Sequence, residues 1–172
     1  MRKDYSQYED EELIAMVQKQ DRRAFNELVI RYDSKILNFI NGYMNSFEMA
    51  QDLTQDTFYK IWKNADKYQP IAKFKTWAYT IAKNCALTEY RKIKRRNTYA
   101  FSQLSSKENE FTLERLEGQE NRELSNDNET VKQIRLAISQ LSDEFREIII
   151  LKDIQEHSYD EISSITGLPL GT

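Results

Sequence analysis

The chain has 172 residues, 40% of them hydrophobic and 31% charged, with a formal net charge of −3. That length holds one ordinary domain or two small ones. With only 4 Gly and 2 Pro, long helices are favoured over many turns, which points to an all-α class. A lone Cys85 excludes an intramolecular disulfide, and with a lone His157 it argues against a protein-only zinc site. The first residues run into an acidic stretch, and the longest apolar runs, such as Ile148-Ile149-Ile150-Leu151, are too short to span a bilayer. A cytoplasmic chain with no direct membrane insertion is expected, and Cys85 is read as a buried core thiol.

In chain order, a short helix is predicted over residues 10–19, with Leu13, Ile14 and Val17 on one face. Asp21 is suited to cap the next helix, where Phe25, Leu28, Val29, Tyr32, Ile36, Phe39, Ile40 and Tyr43 recur at three- and four-residue steps. Ser46 caps a third helix carrying Ala50, Leu53, Thr57, Phe58, Ile61 and Trp62. Residues 67–72, with Pro70, read as a loop. A fourth helix follows over about 74–94, with Phe74, Trp77, Ala78, Ile81 and Cys85 facing inward. Residues 97–127 are rich in Ser, Asn, Glu and Gln and read as an acidic flexible linker. Periodicity resumes at Val131, Ile134, Ile138 and Leu141. Ser142 caps a helix with Phe145, Ile148, Ile149 and Leu151, and a last helix over 159–166 ends at Gly167. The expected division is two small helical domains, 1–96 and 128–172, joined by the linker at 97–127.

Charge is unevenly placed. Between residues 73 and 96 stand Lys73, Lys75, Lys83, Arg91, Lys92, Lys94, Arg95 and Arg96 against Glu89 alone, whereas residues 107–129 are dominated by Asp and Glu. On the third helix Asp52, Gln55, Asp56 and Tyr59 align on one side. Such a stripe is either a solvated face or a dock for a basic partner. The fourth helix presents Thr80, Lys83, Arg91 and Lys94, with Tyr79, Asn84 and Tyr90 close by. Cations neutralise phosphates, rings stack on exposed bases and amides read base edges. The alternative is again a solvated face. Residues 158–169 have the character of a helix-turn-helix, with Ile162 and Ile165 inward and Asp160 and Glu161 placed as helix-N-terminal charges. No Gly-rich phosphate loop, catalytic triad or metal cluster is apparent, and the carboxylates are expected in exposed surroundings, so neither an enzyme nor a cofactor is expected.

The segments Ala50-Gln51-Asp52-Leu53-Thr54-Gln55-Asp56-Thr57-Phe58, Ile61-Trp62 and Phe74-Lys75-Thr76-Trp77-Ala78-Tyr79-Thr80-Ile81-Ala82-Lys83-Asn84 resemble region 2 of extracytoplasmic-function sigma factors. Residues 141–151, Ser158-Tyr159-Asp160-Glu161-Ile162 and Gly167-Leu168-Pro169-Leu170-Gly171-Thr172 are similar to region 4 of the same family. The resemblance implies a transcription-initiation factor that recruits core RNA polymerase and recognises and melts the −10 promoter element. It implies that Asp52, Gln55, Asp56 and Tyr59 dock on the clamp helices of the polymerase β′ subunit. It further implies that the loop from Tyr68 to Lys73 and the start of the fourth helix (Lys75, Thr76, Trp77, Thr80) hold an extruded base of the non-template strand. Lys83, Asn84, Tyr90, Arg91, Lys94 and Arg95 would then hold the backbone and neighbouring bases. An anti-sigma partner is implied as well, and the polymerase supplies the catalysis.

Two departures stand out. Where the family often has an acidic residue four positions after the Asn of the fourth helix, this chain has Thr88, followed by Glu89. The family pattern also continues beyond Gly171-Thr172 into a recognition helix for the −35 element, so residues 128–172 alone are expected to read −35 duplex poorly. The competing reading is a stand-alone helix-turn-helix regulator, which requires a complete recognition helix and a dimerisation face. A helical interaction module without a DNA role is the third reading, and it leaves the basic, aromatic fourth helix without a purpose.

Overall fold

The computed structural model describes residues 4–44, 46–104, 133, 137–138, 140–154 and 157–170, and these are helical with short connections. Most of the expected 97–127 linker, and Val131 and Ile134 beyond it, lie outside the described residues.

Four helices build the N-terminal bundle: α1 (Asp10–Val17), α2 (Arg22–Asn41), α3 (Phe47–Lys63) and α4 (Phe74–Leu104). Local chemistry sets their starts. The Glu12 carboxylate accepts from the backbone N–H of Glu9, and three acids in the first turn of α1 face the positive end of its dipole. Asp21 accepts from the N–H groups of Arg23 and Ala24 at 3.0 and 3.2 Å, so it caps α2. Ser46 accepts from Met49 N–H at 3.3 Å and caps α3. Helix α4 is capped from a distance, by Glu11 of α1, whose carboxylate accepts from Phe74 N–H at 2.9 Å.

The core lies where the four helices converge: Leu13, Ile14, Leu28, Ile36, Phe39, Ile40, Ile61, Phe74 and Ala78 are all buried. Aromatic edges interlock there, with Tyr32 on Phe74 at 5.4 Å and Phe39 on Tyr79 at 5.2 Å. The connection from α3 to α4 includes a 3-10 turn, Ala65–Lys67, and is pinned rather than loose. The Gln18 amide donates to the carbonyls of Ala65 and Tyr68, both at 3.0 Å, and the Tyr68 hydroxyl donates to Ala72 O at 2.9 Å. Helix α4 continues to Leu104, ten residues beyond the end expected at 94. The apolar pattern fades there, but an established helix adds residues without paying the nucleation cost again.

The C-terminal unit contains α5 (Asp143–Ile149), which passes directly into a π-helical turn at Ile150–Ile154, and α6 (Tyr159–Thr166). Ser158 and Glu161 form a reciprocal capping box at the start of α6, and Gly167 ends it at φ 80°, a conformation glycine adopts without a Cβ clash. Ile150, Leu151, Ile162 and Ile165 are buried in this unit. It packs on α2 and α4, so the two units share one continuous core.

Candidate nucleic-acid and polymerase interfaces

Helix α3 turns Ala50, Leu53, Thr57, Phe58 and Ile61 inward. That leaves Asp52, Gln55, Asp56 and Tyr59 exposed along the outer side, Tyr59 at 62%. Lys63 lies 5.8 Å from the Tyr59 ring centre. The stripe is acidic with one aromatic ring, and nothing among the described residues covers its two carboxylates.

On the adjoining side, the end of α3, the 3-10 turn and α4 enclose a groove of about 360 Å³, lined by Lys60, Asn64, Lys67, Trp77, Ile81, Asn84 and Thr88. Trp77 and Ile81 form an apolar wall, two amides offer donors and acceptors, and two lysines bring positive charge. Lys67 donates to the Asn64 side chain at 2.9 Å, and the Asn64 amide donates to Lys60 O at 2.8 Å, which fixes that rim. Lys60 lies 3.1 Å from the buried Cys85 sulfur. Arg91 and Arg95 are exposed and lie seven residues beyond Asn84 and Thr88, so helical periodicity continues the groove's side of α4 with two more cations. An unstacked base fits this chemistry: a ring to stack on, amides for its edge and cations for the flanking phosphates.

The sequence-predicted DNA residues divide into three groups. Trp77 and Asn84 line the groove, and Lys94, Arg91 and Arg95 are exposed. Tyr68 and Thr76 are buried. The Tyr68 ring lies tilted against Trp77 at 5.4 Å and so supports the groove wall from behind, and Thr80 donates to Thr76 O at 2.9 Å within α4. Lys75, Lys83 and Tyr90 face the C-terminal unit. Lys75 lies 3.7 Å from Glu161. Lys83 donates to the carbonyl of Ile165 at 2.5 Å and sits 3.8 Å from Glu147. The Tyr90 ring lies 5.1 Å from the Arg146 guanidinium. Lys73 is 76% exposed and only at the edge of ion-pair range of Glu161, at 4.0 Å.

Three features differ from the sequence reading. Lys60, Asn64, Lys67 and Thr88 belong to the groove but sit in positions that read as an ordinary helix end, loop and helix face. Only the approach of α3 to α4 brings them together. Tyr79, expected near the DNA side, is buried edge-on against Phe39 and His157. Glu147 is a buried carboxylate, where exposed ones were expected. Burial raises its pKa, and the nearby Lys83 and Arg91 only partly offset that. His157 is fully buried, and burial together with the Lys75 charge lowers its pKa from 6.5 to about 4.

Known proteins match both halves of the chain. The Sigma-70 region 2 family matches residues 28–96, and the Sigma-70 region 4 family matches residues 132–172. The ECF RNA polymerase sigma-E factor of Salmonella typhimurium is 32% identical, over 96% of this chain and 87% of that protein. Two solved structures share the fold at 22% identity. CnrH, in complex with the cytosolic domain of CnrY, aligns over 93% of this chain and 84% of its own with a TM-score of 0.66. The sigma factor RpoE of Bartonella quintana, in complex with the anti-sigma factor NepR, aligns over 86% and 85% with a TM-score of 0.61. The chain belongs to the sigma-70 family, in its extracytoplasmic-function group. It is a DNA-binding factor of transcription initiation, and the stand-alone regulator is not favoured.

Proposed function

We propose that residues 1–96 carry both working surfaces of this sigma factor, with residues 97–127 as the tether and 128–172 as the second domain. The acidic stripe of Asp52, Gln55, Asp56 and Tyr59 docks on the β′ clamp helices of core RNA polymerase. The groove between α3 and α4 takes an extruded base of the −10 non-template strand, with Trp77 as its stacking wall and Asn64 and Asn84 as edge readers. Lys60, Lys67, Arg91, Lys94 and Arg95 hold phosphates on either side. Extruding a base costs a few kcal/mol of unstacking, and a site that accepts it only when flipped stabilises the open strand.

The observation that carries this reading is the groove itself: an apolar wall, two amides and flanking cations beside an uncovered acidic stripe. The protein contributes binding and leaves catalysis to the polymerase. No cofactor is called for, and the place of action is the cytoplasm. An anti-sigma factor is a further partner, as the Bartonella quintana relative has one.

The test is capture of core RNA polymerase by the parent chain and by an Asp52→Arg/Asp56→Arg variant. The parent is expected to retain polymerase and the still-helical variant to lose it, by at least tenfold in affinity. Equal capture by the two would remove the stripe from the interface.

A further inference from the structure

The groove between α3 and α4 can give hydrogen bonds more strongly than it can take them. Trp77, Ile81, Asn84 and Thr88 recur at steps of four, three and four residues and so form one stripe of α4, with Lys60, Asn64 and Lys67 completing the lining. Two of these residues are cations and none is an acid. The Lys67 ammonium gives one proton to Asn64 Oδ1 at 2.9 Å and keeps the others. Asn64 is held at both ends, since its Nδ2 donates to Lys60 O at 2.8 Å. The Thr88 proton is committed within α4, to Asn84 O at 2.6 Å. A guest in the groove therefore meets two ammonium groups and the amide N–H groups as donors. The acceptors it meets are neutral: the amide oxygens and the Thr88 oxygen.

That imbalance ranks the bases. A hydrogen bond from an ammonium group is charge-assisted and roughly twice as strong as one between neutral partners. The groove gains most from a base whose edge presents strong acceptors. Guanine offers O6 and N7 side by side, and thymine offers O4. Both also carry a ring N–H, which suits an amide oxygen. Adenine has no carbonyl oxygen. Its amino protons enter a groove that already holds two cations and has no carboxylate to receive them. Asn84 can pair with adenine through both ends of its amide, but those bonds are neutral. Cytosine, with one carbonyl and one amino group, falls between.

We infer that the groove selects an extruded base bearing both a carbonyl and a ring N–H, guanine or thymine, over adenine, and that Thr88 is a specificity-determining residue because a carboxylate in its place would weaken that choice. This rests on the reading of the groove as the extruded-base site. An acid at position 88 stands one turn from Asn84, accepts from an amino group and offsets the ammonium charge.

The test uses the full chain at low salt and single strands in which one base stands among abasic nucleotides, so that the phosphates stay constant while the base varies. A wholly abasic strand measures the phosphate contribution alone. In fluorescence competition against one labelled strand, the guanine and thymine strands are expected to bind roughly tenfold more tightly than the adenine strand. In Thr88→Asp all strands lose affinity to the added negative charge, but the advantage of guanine and thymine over adenine should shrink by about threefold or more. Thr88 is exposed, and a helical spectrum checks that the variant is folded. Strands of all four bases binding equally, yet more tightly than the abasic strand, would overturn the selectivity and leave the base site standing. Tighter binding of adenine would do the same. An unchanged ratio in Thr88→Asp overturns the role of Thr88. If no base adds to the abasic strand, or a folded Trp77→Ala variant keeps the whole increment, the base site itself fails and takes the selectivity with it.

Discussion

His157 is placed where burial and charge oppose protonation. Lys75 and Tyr79 face it from α4 and Glu161 from α6, with its Nδ1 3.3 Å from the Glu161 carboxylate and its Nε2 without a hydrogen-bond partner among the described residues. A base whose folded pKa falls from 6.5 to about 4 takes up protons more readily once exposed. The stability it allows is therefore complete above pH 6.5 and is lost as the pH drops from 6.5 towards 4. At pH 5.5, one unit below the exposed value, the loss is about 1.4 kcal/mol, or roughly tenfold. Glu161, lowered because the Ser158 N–H and Lys75 outweigh its burial, acts in the same direction at still lower pH. Glu147, raised by burial, acts oppositely, since its protonation relieves a buried charge. Hydrogen exchange of α6 at pH 7.5 and 5.5 checks this. Protection in the parent should fall at the lower pH, while a His157→Phe variant, which keeps a ring against Tyr79, should change little. Equal pH dependence of the two would assign the effect to the carboxylates.

Among the elements, α2 depends on one side chain for its start. Asp21 caps two backbone donors and also accepts from the Tyr5 hydroxyl at 2.8 Å. Asp21→Ala is expected to cost about 1–2 kcal/mol, seen in urea unfolding as a lower midpoint with an unchanged slope. A neutral result would mean that water replaces the cap. This cap was legible in the sequence, as were Ser46 and Gly167, because each acts on backbone within a few residues of itself. The core faces of α1, α2 and α3 were legible for the same reason, through their spacing, as was the outward acidic stripe of α3. The groove was only half legible. Trp77 and Asn84 carried the resemblance, whereas Lys60, Asn64 and Lys67 gain meaning only when α3 and α4 come together. Least legible was the divided use of α4. A basic, aromatic helix reads as one binding surface, yet Lys75 and Lys83 are met by acids some 65 to 85 residues further on, and Tyr79 by the His157 ring. Such pairings are tertiary and leave no local signal.

At the scale of the molecule, a chain of net charge −3 binds a polyanion only if its cations are gathered, and here they are gathered on two sides of one helix. Lys60, Lys67, Arg91 and Arg95 surround or extend the groove with exposed Lys94 beside them, while Lys75 and Lys83 lie under the C-terminal unit. Single-stranded binding releases counterions in proportion to the phosphates neutralised, with a log–log slope of about −0.7 per contact. The five cations proposed to hold phosphates correspond to a slope of roughly −3.5, and adding the two covered lysines steepens it to roughly −5. The parent chain, with Lys75 and Lys83 paired to the C-terminal unit, should follow the shallower line, and an Arg91→Ala/Arg95→Ala variant should flatten it to roughly −2. Fluorescence titrations with one oligonucleotide across a series of salt concentrations separate the two. A flat dependence in both would mean that stacking in the groove, not phosphate contact, dominates binding. Parallel slopes in the parent and the variant would mean that Arg91 and Arg95 make no phosphate contact.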